Sequence, residues 1–306
     1  MIAAAGHGSR LRPLSDLRPK PALPVRGIPL VAYQLALLAH HGVSEVVINT
    51  HHLPDRLIEA ARRYNPPGLE LHFSVESQLL GTGGGIRKVA AFLRESDPCL
   101  ILGGDMIVDA DLGALIERHR LQRDAITMLL REDARSREFG TIGLDRDGHL
   151  RRIGSRFDLG SETRAGVYTW VNVVAARAFD SLLDLPEAEA FGHLDDWIAP
   201  LLAGGASDIR GEFDPCIWEP VGTPAEYLAA NLKPIRLGYF DPEARARSEG
   251  TRFESELIIG AGAHLEPGAR LTRAVVWDGE TVPANLCASD GVFAGGSFHA
   301  CSGESA

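Results

Sequence analysis

The opening of the chain places the tightest limits on its fold. An apolar run, Ile2-Ala3-Ala4-Ala5, leads directly into Gly6-His7-Gly8-Ser9-Arg10-Leu11-Arg12-Pro13, and Pro19-Lys20-Pro21 follows closely. A short strand, a glycine-rich turn and positioned cations are how an α/β protein prepares a place for phosphates. Glycines let backbone N–H groups approach an anion, and the cations neutralise it. Arginine can hold a phosphate bidentately, and lysine acts as a point charge. Pro13, Pro19, Pro21 and Pro24 stiffen the segment and restrict where Lys20 points. Gly6-His7-Gly8 lacks the third glycine of a dinucleotide fingerprint and the Gly-Lys-Ser/Thr ending of a P-loop, so the turn alone names no activity. So few residues precede it that the spacing predicts a first strand beginning upstream of Met1.

Downstream, strand and helix patterns alternate. Residues 30–41, 55–64, 86–93 and 112–123 have helical spacing, and Gly42 gives the first of them a C-terminal signal. Residues 45–50, 69–75, 99–102 and 125–131 read as strands. This alternation predicts an α/β fold with a doubly wound, mostly parallel sheet. Ligands of such sheets lie beyond the carboxyl ends of the strands, where the glycine turn, Glu76 and Asp105 all fall. From about residue 140 to 174 strands and turns dominate, with Asp147-Gly148 as a hairpin signal. Residues 176–183 and 194–203 look helical, and another helix begins near Pro224.

The tail has a different period. Ile259, Leu265 and Leu271 recur every six residues among Gly260, Gly262, Pro267 and Gly268, and Val276 and Val282 continue with a one-residue slip. That spacing predicts a short left-handed parallel β-helix. The expected domains are 1–238 and 251–298, divided by a charged, helix-breaking stretch.

Composition narrows the class. With 306 residues, 45% of them apolar, the chain can bury a sizeable core. A net charge of -10 argues against a nucleic-acid surface, though not against a local cationic pocket. Cys99, Cys216, Cys287 and Cys301 show no C-x-x-C spacing, so neither a disulfide framework nor a zinc site is expected. With no signal segment and no apolar run of membrane length, the chain reads as soluble and cytoplasmic, with no membrane partner.

The stretch from Gly6 to Pro21 resembles the opening of the sugar-1-phosphate nucleotidyltransferases, G-x-G-x-R-x-x-P-x-T-x-x-x-P-K-P, with Ser15 in place of Thr. The resemblance is closest to the branch containing mannose-1-phosphate guanylyltransferases. It continues through Asn49-Thr50-His51-His52, Glu76, Leu80-Gly81-Thr82-Gly83-Gly84-Gly85, Gly104-Asp105, Phe139-Gly140 and Gly222-Thr223-Pro224 into the tail. It implies a Rossmann-like nucleotidyltransferase that joins an NTP and a sugar-1-phosphate into an NDP-sugar and pyrophosphate, in the presence of Mg²⁺. By the same resemblance Ala4, Ala5, Gly6, Gly8, Ser9 and Arg10 would wrap the nucleotide phosphates, with Arg10 and Lys20 as the catalytic cations. Glu76 would read the base, as a carboxylate that accepts from guanine, and Gly81, Thr82 and Gly83 would bring backbone near it. GTP and mannose-1-phosphate, or a related hexose phosphate, are therefore the expected substrates. Gly140 and Arg156 would contact the sugar, Asp105 would bind Mg²⁺, and copies of the chain could associate through the tail.

Two departures from the family pattern bear on activity. In W-x-D-x-G-T the second metal carboxylate is replaced by Pro220, which leaves the adjacent Glu219 as the expected surrogate ligand. The family's E-K-P is absent after Gly148, and Ser155-Arg156 stands in its place. These departures keep a second reading open, a catalytically weak nucleotide-sugar-binding regulatory protein on the same fold. Adjacent histidines at 40–41 and 51–52 point apart and are not expected to ligate metal. Asp109 and Asp111 read as helix caps, and Trp170 and Trp218 as packing residues.

Overall fold

The computed structural model describes residues 1–186 and 190–301. Ile2–Ala3 (β1) is short and central. Glu45–Thr50 (β2) is apolar and β-branched and buried beyond its first residue, as suits a strand covered on both faces. Glu70–Val75 (β3) is half-buried, and Cys99–Gly103 (β4) is buried throughout. β1 runs parallel to β2 on one side and β4 on the other, with Ile2 opposite both Ile48 and Leu102. β2 pairs in parallel with β3. Leu30–His40 (α1), Pro54–Arg63 (α2) and Gly81–Lys88 (α3) make the connections. Beyond α1, Gly42 takes φ +76, the left-handed turn that stops a helix.

Met106–Asp109 (β5) leads to Leu112–Gln122 (α4), which is capped by Asp111, whose Oδ1 accepts from the Ala114 N–H at 2.9 Å. Asp109 instead closes β5 and caps no helix among the described residues. Ile126–Arg131 (β6) is followed by a meander of Ile142–Leu144 (β7), Leu150–Ile153 (β8) and Phe157–Asp158 (β9). At the β7–β8 turn, Asp145 accepts from the N–H groups of Asp147 and His149, which makes the expected hairpin. Arg164–Val174 (β10) runs antiparallel to β4, β6 and β7. Ile209–Phe213 (β11) pairs in parallel with β6, and Ile217–Pro220 (β12) lies antiparallel to β5.

The central sheet is thus parallel-rich but mixed. Its parallel half reads β3-β2-β1-β4, and β10 then breaks the direction. The meander explains the break, because hairpin connections reverse a strand whereas helical crossovers do not. One face packs on Ile86, Ala90, Phe179 and Trp197, the other on Val31, Leu35, Leu57 and Leu115.

Pro224–Leu232 (α5) precedes the tail strands Leu257–Ile259 (β13), His264–Leu265 (β14), Arg270–Val276 (β15), Thr281–Val282 (β16) and Cys287–Ala294 (β17). β13, β15 and β17 pair in parallel, and β14 pairs in parallel with β16. Ile259, Leu271, Val276 and Val282, from the six-residue period, are buried together with Phe293. A second cluster joins the tail to the rest of the chain. Val275, Trp277 and Val292 pack with Val25, Ile28 and Leu228, and the Trp277 indole N–H donates to the Tyr227 hydroxyl at 3.0 Å.

Because this cluster spans both parts of the chain, Trp277→Ala should destabilise the whole protein by about 3–5 kcal/mol in denaturant unfolding, as expected for a buried tryptophan truncated to alanine. A loss below about 1 kcal/mol would mean that the tail packs independently of that core.

Candidate active site

β1, β2, β3 and β4 all point their carboxyl ends at one edge of the sheet, and a cleft of about 340 Å³ opens there. Ala4, Ala5, Gly6, Gly8, Ser9, Arg10, Lys20, Gly81, Thr82 and Asp105 all line it, so most of the sequence-predicted site residues converge. Gly8 has φ +63, and a methyl group there would lie 3.2 Å from the Cβ atoms of both Lys20 and Ser15. Glycine therefore permits both the left-handed turn and the close passage of the Lys20 segment. Arg10 is exposed, and its guanidinium makes no hydrogen bond or ion pair among the described residues.

Asn49, at the end of β2, holds the turn in place. Its Oδ1 accepts from the Ala4 N–H at 2.7 Å, and its Nδ2 donates to Glu76 Oε1 at 2.8 Å. Glu76 is buried, at 2% exposure, and its Oε2 accepts from the Leu80 N–H at 3.1 Å. Both carboxylate oxygens are thus engaged inside the protein, and Glu76 does not line the cleft. The structure places the expected base reader against Asn49 and the approach to α3. Asn49 also lines the cleft, and its place in Asn49-Thr50-His51-His52 at a strand end is the sequence signal for it.

Lys20 and Asp105 form the charged centre. Lys20 Nζ donates to Asp105 Oδ2 at 2.7 Å, with the lysine side chain 12% exposed and the carboxylate 44% exposed. Asp105 is held from behind, since the Gly104 N–H donates to Ala3 O at 2.8 Å and the Val221 N–H to Asp105 O at 3.0 Å. Gly222 closes this wall. A methyl group on it would lie 2.8 Å from Glu226 Oε2 and 3.2 Å from Arg10 Nη2. Glu226 accepts from the Gly222 N–H, and Thr223 caps α5 by accepting from the Glu226 N–H. The sequence signal for Glu226 is a capping box, Thr223-x-x-Glu226, beside the cleft.

Other expected residues stand elsewhere. Glu219 pairs with Lys233 and lines a separate hollow with Arg131, Arg135 and Arg236. It stands among cations, outside the lining of the cleft that holds Asp105. Gly83 is covered by Phe191, whose carbonyl accepts from the Gly83 N–H at 2.9 Å and whose ring would lie 2.4 Å from a Gly83 methyl group. The same contact explains why α3 starts at Gly81 and not near Ile86: a run of glycines makes a poor helix alone, but Phe191 needs its bare face. Gly140 ends the short helix Ser136–Phe139 outside the cleft lining, and Arg156 pairs with Asp195. His51 Nδ1 lies 2.9 Å from Glu76 O and His52 Nε2 lies 2.8 Å from Ser15 O, while both rings face His7 at 5.1 and 5.8 Å and so do not point apart.

Trp170 packs against the core as expected and also lines the cleft. Its ring lies 4.4 Å from that of His193 and 5.6 Å from that of Tyr168. His193 Nδ1 is 2.8 Å from Thr82 Oγ1, which also accepts from the His193 N–H. Burial pushes the His193 imidazole down to about 3, so the ring is neutral in the folded protein. Trp218 does pack, edge-on against Phe139 at 5.0 Å.

A family model described as Nucleotidyl transferase matches residues 1–235. A mannose-1-phosphate guanylyltransferase of Mycobacterium tuberculosis is 29% identical over 298 residues, which cover 93% of this chain and 81% of that protein. A UTP–glucose-1-phosphate uridylyltransferase of Synechocystis sp. is 27% identical over 301 residues, covering 89% of this chain and 76% of that protein. Among solved structures, HddC from Yersinia pseudotuberculosis complexed with GMP-PN aligns with a TM-score of 0.61 at 22% identity, over 75% of this chain and 96% of that one. That likeness concerns the fold.

Removing Asn49 should loosen the turn. Asn49→Ala strands a buried N–H and a buried carboxylate oxygen, so it should cost about 1–3 kcal/mol in denaturant unfolding and weaken nucleotide binding in calorimetry. Full stability and affinity would remove Asn49 from this role. His193 generates a pH dependence. Its folded value near 3 lies below the ordinary 6.5, so the unfolded chain binds the extra proton and stability falls as pH drops below about 6.5. His193→Asn should flatten the decline in unfolding temperature between about pH 6.5 and 5, and an unchanged slope would count against burial of a neutral ring.

Proposed function

The chain belongs to the nucleotidyl transferase family and is a sugar-1-phosphate nucleotidyltransferase, and from that premise we propose that it joins GTP and mannose-1-phosphate, or a related hexose phosphate, into an NDP-sugar and pyrophosphate. The observation that carries this reading is the convergence of the 4–10 turn, Arg10, Lys20 and Asp105 on one cleft. The choice of GTP and mannose-1-phosphate draws on the guanylyltransferases among the relatives.

In the proposed mechanism the turn residues 4–9 wrap the triphosphate with backbone N–H groups. Arg10, free of protein partners among the described residues, takes the oxygens of the departing pyrophosphate. An oxygen of the sugar phosphate attacks the α-phosphorus in line. Its P–O bond forms as the bond from the α-phosphorus to the bridging oxygen breaks, and pyrophosphate leaves with that electron pair. The attacking oxygen is already anionic, so no general base is required. Catalysis then rests on positioning and charge neutralisation. Lys20, held beside Asp105, is placed to turn its ammonium to the α-phosphate when the carboxylate takes another partner.

Mg²⁺ is compatible with this donor set. The ion takes hard oxygens from one or two carboxylates and the substrate phosphates, and the Asp105 carboxylate is 44% exposed at the cleft. Asp105 would hold it, and when bound it would supply charge neutralisation at the phosphates. Gly81 and Thr82 remain the proposed base contacts, through their backbone. We read the tail as a short left-handed parallel β-helix, a reading supported by its parallel strand stacks, and propose that copies associate through it in the cytoplasm. No helix of the described residues is long and apolar enough to cross a membrane.

The test is pyrophosphate release across the common NTPs and a panel of sugar-1-phosphates, with Asp105→Ala as control. GTP with mannose-1-phosphate should give the highest kcat/KM, and Asp105→Ala should abolish turnover. Lys20→Ala should lower kcat by about 10²–10³-fold, with a much smaller change in the KM for GTP, because its charge acts on the transition state. Nucleotide binding without pyrophosphate release from any pair would favour the regulatory reading.

A further inference from the structure

Trp170 sits in an unfavourable backbone conformation at the edge of the cleft. Its φ is +63, in the region that glycine tolerates and a bulky side chain rarely adopts. It lies within β10, where pairing with β6 jumps from Tyr168 to Asn172. Such a bulge re-aims a side chain, and strain of this kind collects at functional sites. Gly103, at the end of β4, makes room for it: a methyl group there would lie 3.0 Å from Trp170 Cβ and 3.0 Å from Asp105 Oδ1. The indole is backed by Tyr168 and His193 and open to the cleft, and its N–H has no partner among the described residues.

Trp170 stands beside Gly103 and Asp105 at the charged centre of the cleft, within the lining that the 4–10 turn and Gly222 share. An acceptor that attacks there carries its hexose among these lining residues. His193, which supports the indole, opens the turn His193–Ile198, and Asp195 of the same turn holds Arg156. One short segment therefore braces an aromatic face and tethers a cation.

We infer that Trp170 is a specificity-determining residue whose indole face receives the pyranose ring of the acceptor hexose 1-phosphate. The C–H edges of a pyranose suit an aromatic face, and the free indole N–H can donate to a ring hydroxyl. This rests on the sugar-1-phosphate nucleotidyltransferase reading. It adds which residue selects the acceptor and explains why the chain tolerates the bulge.

Two measurements test it on the full chain. The first is calorimetric binding of mannose-1-phosphate and glucose-1-phosphate in the presence of a non-hydrolysable GTP analogue. The second is steady-state pyrophosphate release with each substrate varied. Trp170→Gly, which accepts the same φ, should weaken sugar-phosphate binding and raise the acceptor KM at least tenfold, while the KM for GTP changes less than about twofold. Trp170→Phe should recover most of the loss, because it keeps an aromatic face. Unchanged acceptor binding in Trp170→Gly would overturn the inference. So would a rise confined to the KM for GTP, which would put the base on the ring, or equal losses for both substrates with a lowered unfolding temperature, which would make the role structural. Wild-type protein that binds no hexose 1-phosphate would also overturn it. If wild type binds the sugar phosphate through Trp170 but releases no pyrophosphate, the catalytic reading fails and this inference stands. If wild type turns over and Trp170→Gly matches it, only this inference fails.

Discussion

Three parallel strand ends are tied by one amide. Asn49 is in register with Ala3 on one side and Ser74 on the other, so its side chain emerges where β1 and β3 both finish. From there it receives the Ala4 N–H and donates to Glu76. The first bond fixes the point at which the backbone leaves β1 for the glycine turn. The second fixes Glu76, which in turn receives the Leu80 N–H ahead of α3. The turn and the α3 terminus form facing parts of the cleft, and their relative placement depends on this buried link. Buried polar groups of this kind stabilise only when every member is satisfied, which makes the geometry specific.

On that frame the charges are arranged in two tiers. Lys20 and Asp105 neutralise each other at 2.7 Å, while Arg10 remains open to the cleft. The cleft therefore offers an exposed guanidinium without a partner among the described residues and, more deeply buried, a paired ammonium. The pair avoids leaving a poorly solvated lysine at the floor of the site, since an isolated buried charge is costly. It also leaves Asp105 half exposed, so its lone pairs stay within reach of a cation. Glu226 and Arg10 both crowd the bare face of Gly222, and Glu226 accepts the Gly222 N–H.

Much of this was readable from the order of residues along the chain. The strand–glycine turn–cation order is local, and so are the β-branched strands and the six-residue period of the tail. What could not be read depended on neighbours remote in sequence. Glu76 turns inward because Asn49 and Leu80 present donors to it. Glu219 turns to Lys233 because β12 runs antiparallel to β5, a pairing that the motif does not encode. α3 begins five residues early because Phe191, 110 positions after Gly81 in the chain, fills the space that side chains would need. Trp170 packs on the core as a tryptophan commonly does, and the bulge against β6, which no local pattern signals, also brings it to the cleft.

The tail reaches the same site through its packing. Arg18, between the glycine turn and Lys20, lays its guanidinium 4.6 Å over the Trp277 ring and pairs with Asp278 at 2.7 Å. Leu17 meets the far end of the tail, where a methyl group on Gly295 would lie 3.0 Å from it. Pro19 then leads directly into the turn Lys20–Ala22 that carries the site's lysine. The segment that aims Lys20 is therefore clamped at one end by tail residues and at the other by Asp105. A parallel strand stack that contributes no group to the cleft still limits how far Lys20 can move, because the chain between Arg18 and Lys20 is one stiff proline long. That coupling gives the tail a physical reason to be packed into the same core as α5 and not merely tethered to it.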